Sequence, residues 1–354
     1  LCRNEPRQGV GEYQYLAGGE YRRWRGSGWE TCTEPLAPGL PQLHLDGVET
    51  ATQIHYWGHY PVADLEFVTQ APVSVGLRAW APFLPGDVGL SVVPAIVFEV
   101  HLRNPTDRPQ HGTVALSFPG AEPQEAGADT FARRPVDGGG FRGIEVRAPL
   151  ASWALGVLGL DAGDGLRTGG ELGGRGAAWA GIAQTLPAAA AGHGGASLAV
   201  DFALAAGQQR VVPIALSWCA PTWNAGGYNW AGAPHTFTHE YACRYPSPPQ
   251  TGALLAGRQA ELLRRILAWQ QVVYTEEALP VWLRESLVNV LHLIAEDGLW
   301  AHRQPPLPEW VRDEDGLFGM NECPRGCPQT ECLPNTAYGN HPLSIGEGQT
   351  ISQP

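Results

Sequence analysis

The chain has 354 residues, of which 44% are hydrophobic and 16% are charged, so a disordered polymer is excluded and more than one hydrophobic core is expected. Its formal net charge of −12 argues against a nucleic-acid-binding protein, which needs a cationic face. No apolar run is long enough to cross a bilayer, so no transmembrane segment is predicted. The sequence begins at Leu1 rather than Met, and we expect its natural N-terminus to lie upstream.

Residues from about 40 to 220 are predicted to form antiparallel β structure, because short apolar segments alternate with Gly, Pro, Asn and Asp turns. Ala151–Leu160 is one strand candidate. Gly163–Gly195 is rich in Gly and Ala and is predicted to be a long loop or two weak strands. Many strands, short turns and no convincing helix favour a β-sandwich.

Two hairpins are predicted within this region. Ile96–Arg103 alternates in the manner of a strand and stops at the turn cluster Asn104–Asp107, which makes Val114–Phe118 its expected partner. Ser197–Leu204 and Arg210–Trp218 form a second expected pair around a short Ala-Gly turn.

The pattern changes after Tyr245, where Pro246–Pro249 indicates a linker. Leu254–Val273 then has apolar residues at helical spacing, namely Leu255, Leu262, Ile266 and Val273. A second helix is predicted from Pro280 to about Gly298. Its apolar face contains Leu283, Leu287, Val290, Leu291 and Ile294.

The 13 Trp residues of this acidic chain fit two roles, core packing and stacking against sugar rings. Core packing is the more common role of any single Trp. If the chain is a carbohydrate-binding or structural module without catalysis, exposed Trp80, Trp223 or Trp230 would line its groove.

Two groups of residues could in principle bind a metal ion. His235 and His239 lie four residues apart beside Glu240 and would share one face of a helix. Pro234 and nearby Gly residues disfavour an unbroken helix, so hydrogen-bonded interdomain histidines are the favoured interpretation.

The second group is formed by Cys323, Cys327 and Cys332, whose spacing differs from the C-x-x-C of zinc sites, with only His341 at a convenient distance. We therefore predict no metal site. Seven Cys residues cannot all pair within one chain, and we expect reduced thiols in a cytosolic protein.

Glu322, within Gly316–Cys332, is the strongest candidate for chemistry. Flanking Gly and Pro residues predict a loop at which the carboxylate can face a cleft. Glycosidases use two carboxylates, and further acidic residues lie nearby, namely Asp313, Glu314, Asp315 and Glu331. Spacing alone does not distinguish Glu322 from a solvated surface carboxylate.

Several stretches, in this order and spacing, resemble glycoside hydrolase family 116, the group that includes non-lysosomal glucosylceramidase and bacterial β-glucosidases. The likeness covers roughly residues 12 to 335. The stretches that carry it are Arg78–Asp87, Pro94–Glu99, Asn104–Asp107, Arg265–Leu283, Leu287–Trp300 and Gly316–Cys323. The last of them is similar to the segment that contains the family's nucleophile.

The resemblance implies a mainly β fold with an antiparallel β-sandwich at residues 1–245. A linker and the truncated start of an α-helical (α/α)6-type catalytic domain would follow at residues 246–337. Glu322 matches the nucleophile of a retaining mechanism, which attacks the anomeric carbon and forms a glycosyl-enzyme.

The family's acid is an Asp far downstream, for which these 354 residues hold no match. Its sugar-binding Asp has no clean counterpart at Glu331–Leu333. We therefore expect a fragment of a hydrolase of β-glucosides or glucosylceramide-like substrates, inactive when isolated, without a cofactor and located in the bacterial cytoplasm. Its partner would be a carbohydrate or glycolipid substrate, and the sequence does not indicate an oligomeric state.

The tail, residues 338–354, closely resembles a segment of protein-L-isoaspartate O-methyltransferase. By that resemblance Ser352 matches the residue assigned as catalytic, and the cofactor would be S-adenosylmethionine. The Gly-rich strand–turn–helix that binds this cofactor does not occur in the sequence. A fusion with a junction near Tyr338 is therefore one alternative, and a non-catalytic carbohydrate-binding module is another.

Overall fold

The computed structural model describes residues 45, 47–161, 164–225, 235–292, 298–302, 317–321 and 348–352, together with three short N-terminal strands. Elements are numbered in chain order. The N-terminal strands form an antiparallel sheet in the order β1 (Tyr13–Tyr15), β2 (Tyr21–Trp24) and β3 (Trp29–Cys32).

The centre of the molecule is an eight-stranded antiparallel sheet. From one edge to the other its strands are β4 (Gln53–His59), β5 (Val62–Val68), β6 (Ser74–Trp80), β7 (Ala95–Arg103), β14 (Gln209–Cys219), β11 (Ser152–Leu158), β10 (Phe141–Arg147) and β9 (Ala132–Gly138). The predicted strands at 96–103 and 151–160 are thereby confirmed.

A smaller sheet packs against one face of the large sheet. It has the order β12 (Leu166–Gly169), β13 (Ala196–Leu204) and β8 (Gln110–Phe118). The core between the two sheets includes Leu155, Leu198, Leu204 and Ile214, all at most 1% exposed. Burying each such side chain contributes roughly 1.5–3 kcal/mol. The prediction of mainly antiparallel β structure is confirmed, with two sheets stacked on a shared core.

Both predicted hairpins are wrong, because their turns connect the two sheets rather than neighbouring strands. β7 pairs with β14, with Arg103 opposite Gln209, and β8 pairs with β13, with Gln110 opposite Leu204. Alternation along a strand indicates which residues are buried. It does not indicate whether the next strand continues the same sheet or crosses to the facing one.

The two crossing turns are joined by the side chain of Asn104, which is fully buried. Its Nδ2 donates to the carbonyl oxygens of Arg108 (2.8 Å), Leu204 (3.3 Å) and Ala205 (2.9 Å). Its Oδ1 accepts from the backbone N–H (3.0 Å) and the hydroxyl (2.7 Å) of Thr106. One amide therefore satisfies backbone groups of both turns, which holds the two sheets in register at this end.

Helix α5 (Pro248–Tyr274) covers part of the opposite face of the large sheet. Its buried residues include Leu255, Leu262 and Ile266, all 0% exposed, as the helical spacing predicts. The helix begins at Pro248, inside the segment that the sequence indicates as a linker. Proline is favoured in the first turn because its missing N–H has no helical partner there.

Helix α6 (Val281–Asn289) follows and contacts α5 and β4. Its predicted apolar face is wrong in detail. Val288 is fully buried, whereas Leu287 is 43% exposed and Val290 is 48% exposed. A helix that packs against one helix and one strand edge buries only a narrow stripe. That these helices begin a helical catalytic domain, and the boundaries at 245 and 337, stay predictions.

The remaining elements are short. The one-turn helices are α1 (Val88–Ser91), α2 (Pro123–Ala126), α3 (Gly176–Ala180) and α4 (Glu240–Arg244). Two further antiparallel sheets contain β15 (Thr222–Ala225) with β16 (His235–Thr238), and β17 (Gly298–Ala301), β18 (Leu317–Asn321) and β19 (Gly348–Ser352). Among the described residues, no helix combines the length and the apolar character that crossing a bilayer requires.

Candidate functional site

The predicted nucleophile Glu322 lies outside the described residues, as do Cys323, Cys327 and Cys332. Strand β18 ends at Asn321, so the described backbone stops at the residue directly before the candidate carboxylate. Ser352 lies on β19, with Leu317 of β18 as its Cα partner. The neighbouring strand β17 pairs with β18 from Gly298 opposite Met320 to Ala301 opposite Leu317.

The residue that follows β17, His302, ties this sheet to α4. Its backbone N–H donates to the carbonyl of Thr238 (2.7 Å), and its Nδ1 lies 2.9 Å from Oε2 of Glu240. Glu240 is 4% exposed, and its other oxygen accepts from Nε of Arg244 at 2.8 Å. A buried carboxylate with two cationic or hydrogen-bonding neighbours is a fixed acceptor, so this contact anchors the strand pair that leads to Glu322.

The two histidines considered as metal ligands do not share a helical face. His235 is on strand β16, and His239 is the residue that precedes α4. The ring of His239 stacks on Tyr241 at a centroid distance of 5.1 Å, and burial lowers the pKa of His239. Within the part of the chain that the structure describes, no three His, Cys, Asp or Glu residues are grouped as metal ligands would be.

Trp80 does not line an exposed groove, which corrects that expectation. It is 1% exposed, and its Nε1 donates to Oε1 of Glu99 at 3.2 Å. Trp223 is on β15, but its side chain lies outside the described set, as does Trp230 altogether. Trp80 lies under α5 in the same apolar cluster as Leu262 and Ile266, so it is a core residue.

A second polar region, which sequence reasoning missed, lies on the large sheet. Cross-strand pairing places Trp57, Asp64, Arg78 and Glu99 in one row across β4 to β7. The adjacent row contains His55, Glu66, Gly76 and His101. Both rows are on the side of the sheet that α5 covers. Val62, Trp80 and Val97 lie two residues away from the first row on the same strands, so they share its side, and they pack in the α5 core. We call these eight residues the open strand face.

Its ion pairs are close contacts between side chains of neighbouring strands. Arg78 contacts Asp64 through two hydrogen bonds, Nε to Oδ1 at 2.7 Å and Nη2 to Oδ2 at 3.1 Å. Burial pushes the pKa of Asp64 upward, but the hydrogen bonds from Arg78 and His59 outweigh it and leave this pKa below its ordinary value. His101 Nε2 lies 3.5 Å from Oε2 of Glu99.

Gln270 of α5 connects this region to the helices. Its Nε2 donates to the backbone carbonyls of His59 (2.7 Å) and Tyr60 (3.0 Å), and its Oε1 lies 2.9 Å from Nδ1 of His59. Asn289 of α6 accepts from the backbone N–H of Tyr60 at 3.0 Å. Both helices are therefore fixed to the end of β4, where His59 lies two residues from Trp57 on the same strand. Polar residues at alternate positions of neighbouring strands were the signal that could have located this face.

Comparisons with known proteins support the resemblance seen in the sequence. Residues 7–136 match the family model described as beta-glucosidase 2, glycosyl-hydrolase family 116 N-term. The chain is similar to a protein-L-isoaspartate O-methyltransferase of Halorhodospira halophila, at 54% identity over 44 residues, which is 12% of this chain and 20% of that protein. The chain thus spans about a fifth of this relative's length.

Among solved structures, one match is to a protein provisionally named as a kojibiose phosphorylase from the human microbiome. The match has a TM-score of 0.26 and 8% identity, and covers 45% of this chain and 17% of that chain. The likeness to glycosyl-hydrolase family 116 among known proteins rests on the match of residues 7–136.

Proposed function

We propose that the chain is part of a retaining glycoside hydrolase that cleaves β-glucosides or glucosylceramide-like glycolipids. The observation that carries this proposal is the match of residues 7–136 to the family's N-terminal domain. The order of the family-like stretches after that segment, ending at Gly316–Cys323, supports it.

In this proposal Glu322 is the nucleophile. Its carboxylate attacks the anomeric carbon as the bond to the aglycone oxygen breaks, and the proton donor protonates that leaving oxygen. Water then hydrolyses the resulting glycosyl-enzyme and releases the sugar and the free carboxylate. The likeness of Gly316–Cys323 to the family's nucleophile segment supports the assignment, and part of this segment forms β18, which pairs with β17. The contact between His302 and Glu240 would steady the same strand pair.

The proton donor would come from a segment outside these 354 residues, so the isolated chain would not turn over glycosides. No cofactor is required by this mechanism, since both roles belong to carboxyl groups. We also place the protein in the bacterial cytoplasm. Cys219 and Cys243 are both free thiols, which supports a reducing compartment.

The test uses the protein encoded by the genomic DNA on both sides of this sequence, assayed with an aryl β-glucoside and with glucosylceramide. We expect turnover by the whole protein and none by the 354-residue chain. Glu322→Gly should lower kcat by about 10⁴-fold or more. Azide should restore product formation as a glucosyl azide of inverted configuration, because it replaces the missing nucleophile.

Glu314→Gln is the matched control, since it removes a nearby carboxylate and should leave kcat within about threefold of the parent. A whole protein without glycosidase activity on either substrate would overturn the proposed function. Glu322→Gly with parental activity would overturn the role of Glu322 alone.

A second candidate, isoaspartyl methyl transfer, is favoured by the 44-residue match at 54% identity. It would assign Ser352 as a catalytic residue and S-adenosylmethionine as cofactor. Because the match covers 20% of that relative, we place this candidate second. Isothermal titration calorimetry with S-adenosylmethionine tests it directly, and the absence of binding heat would end it.

A further inference from the structure

The open strand face exposes one large aromatic ring. Trp57 is 53% exposed, and its ring stacks on His55 with centroids 6.0 Å apart and planes inclined by 27°. Both residues are on the edge strand β4 and point to the same side of the sheet. A tryptophan supported in this way offers a flat apolar surface of the size of one pyranose ring, against which the C–H face of a sugar can pack.

The groups beside Trp57 can hydrogen-bond to hydroxyls and are already oriented. Asp64 is the direct cross-strand neighbour of Trp57, and it is fixed by Arg78 through two hydrogen bonds. Glu99 is fixed by Trp80 and His101. Groups that are ordered before binding lose little conformational entropy when a ligand arrives.

The charges in the row of Trp57 are largely paired, whereas Glu66 adds an exposed carboxylate to the second row. Asp64 pairs with Arg78, and the side chain of Glu99, which is 13% exposed, lies beside His101, which is 46% exposed. Because the face has more carboxylates than cationic groups, it disfavours an anionic ligand, whereas an uncharged polyhydroxyl ligand can bond to both donors and acceptors.

Gly76 leaves a shallow notch between Glu66 and His101 in the second row. A Cβ built at Gly76 would lie 3.4 Å from the Leu65 carbonyl oxygen and 3.8 Å from the His101 Cβ, which are ordinary contacts. The backbone there does not require glycine, so a side chain could be added without strain. The notch at Gly76 enlarges the part of the open strand face next to Arg78 that a ligand can contact.

A protein partner fits this face less well than a sugar. A stable protein interface buries about 800 Å² on each side around an apolar centre. Here one aromatic ring stands among charged side chains. The exposed Tyr56 and Ile54 of the same strand point to the opposite face and cannot extend the surface.

We propose that the open strand face is a binding site for a neutral oligosaccharide. Trp57 stacks on one sugar ring, and Asp64, Arg78, Glu99 and His101 bond to hydroxyls of that ring and its neighbour. Its residues lie on β4 to β7 and do not include Glu322. Only the choice of glucose-based probes below rests on the proposed function.

The test is isothermal titration calorimetry of the 354-residue chain with cellohexaose, laminarihexaose and maltohexaose. We expect at least one of them to bind with a Kd of roughly 0.1–1 mM, typical of a shallow site with one stacking ring. Chromatography of each sample after titration checks that the oligosaccharide is intact, so the binding result does not depend on hydrolysis.

Trp57→Ala should weaken binding about tenfold or more, and Gly76→Gln should weaken it by a similar factor because its side chain fills the notch. Tyr56→Ala is the matched control, since Tyr56 is an exposed aromatic on the same strand but the other face. It should bind as the parent does. Circular dichroism and thermal unfolding confirm that each variant is folded.

Binding of none of the three hexasaccharides would overturn the proposal. So would a folded Trp57→Ala variant that binds as tightly as the parent, or an equal loss in Tyr56→Ala. Failure here leaves the role of Glu322 untouched, because that role is judged by turnover of the whole protein.

Discussion

On the side of the large sheet that α5 partly covers, the two ends of the strands differ in polarity. Under α5 the face is apolar, whereas beyond the helix it is polar. Along β7 alone, Val97 is 0% exposed, the Glu99 side chain is 13% exposed, and the His101 side chain is 46% exposed. The strand geometry is the same at both ends, so side-chain chemistry decides which part the helix covers.

The physical reason is the difference between burying apolar and ionic groups. Covering Val62, Trp80 and Val97 removes apolar surface from water, at roughly 25 cal/mol per Å². Covering Asp64 and Arg78 would take two charges out of water, and the gain from their contact does not reliably repay that cost. The helix therefore belongs at the apolar end, and the polar end is left available to a ligand.

The covered end should be the more sensitive to substitution, and the largest effect is expected in α5. Leu262→Ala removes a side chain that is 0% exposed in the core between α5 and the sheet. We expect the free energy of unfolding to fall by about 2–5 kcal/mol, measured by urea denaturation.

Val272→Ala on the same helix is the control, since Val272 is 72% exposed and its loss should cost less than about 0.5 kcal/mol. Equal effects of the two substitutions would show that α5 does not pack on the sheet through Leu262.

Two glycines of α5 should respond to alanine with opposite signs. At Gly252 a new Cβ would lie 2.8 Å from ring atoms of Phe141, which is fully buried, so we expect a loss of about 1–3 kcal/mol. At Gly257 no atom lies within 4 Å of the added Cβ. There alanine should stabilise by about 0.5–1 kcal/mol through helix propensity.

Thermal unfolding of both variants measures this difference. A stabilising Gly252→Ala would mean that helix propensity outweighs the contact and that the ring of Phe141 can move away.

The open end should give a smaller effect that depends on pH. The pKa of Asp64 is depressed in the folded chain, so its ionised form stabilises above the unfolded pKa near 3.9, and this contribution disappears as pH falls through the folded pKa. Solvent screens a pair whose side chains are both 30% exposed, so we expect Asp64→Asn to cost about 0.5–1 kcal/mol at pH 7.

Denaturation of the parent and Asp64→Asn between pH 7 and pH 3 measures this dependence. The difference between them should stay constant down to about pH 5 and shrink below about pH 4. A difference that does not change with pH would show that the ion pair contributes nothing.

Much of the fold follows from local patterns in the sequence. The strand at Ala95–Arg103 and the buried stripe of α5 were predictable, because alternation and helical spacing reflect which side chains face the core. Strand pairing was not, because Asn104 joins two turns that lie about 100 residues apart in the chain. A short cluster of turn residues has the same sequence pattern whether it closes a hairpin or connects two sheets.

The candidate site residues also differ in whether their role follows from local sequence or depends on distant parts of the chain. Glu322 was singled out by its surrounding sequence and stays a prediction, since the described backbone stops at Asn321. Trp80 was a groove residue under the binding-module alternative, yet it is core, whereas Trp57 on β4 of the same sheet is exposed. Which of them α5 covers depends on where a helix nearly 200 residues later docks.

The pairing of β7 with β14 and of β8 with β13 bears on how the chain folds during synthesis. The family-matched segment ends at residue 136, but these partners begin only at Ala196 and Gln209. A nascent chain that has passed residue 136 therefore holds two long strands with unpaired edges until some 80 further residues emerge. The N-terminal segment that matches the family model is therefore not by itself a unit of folding.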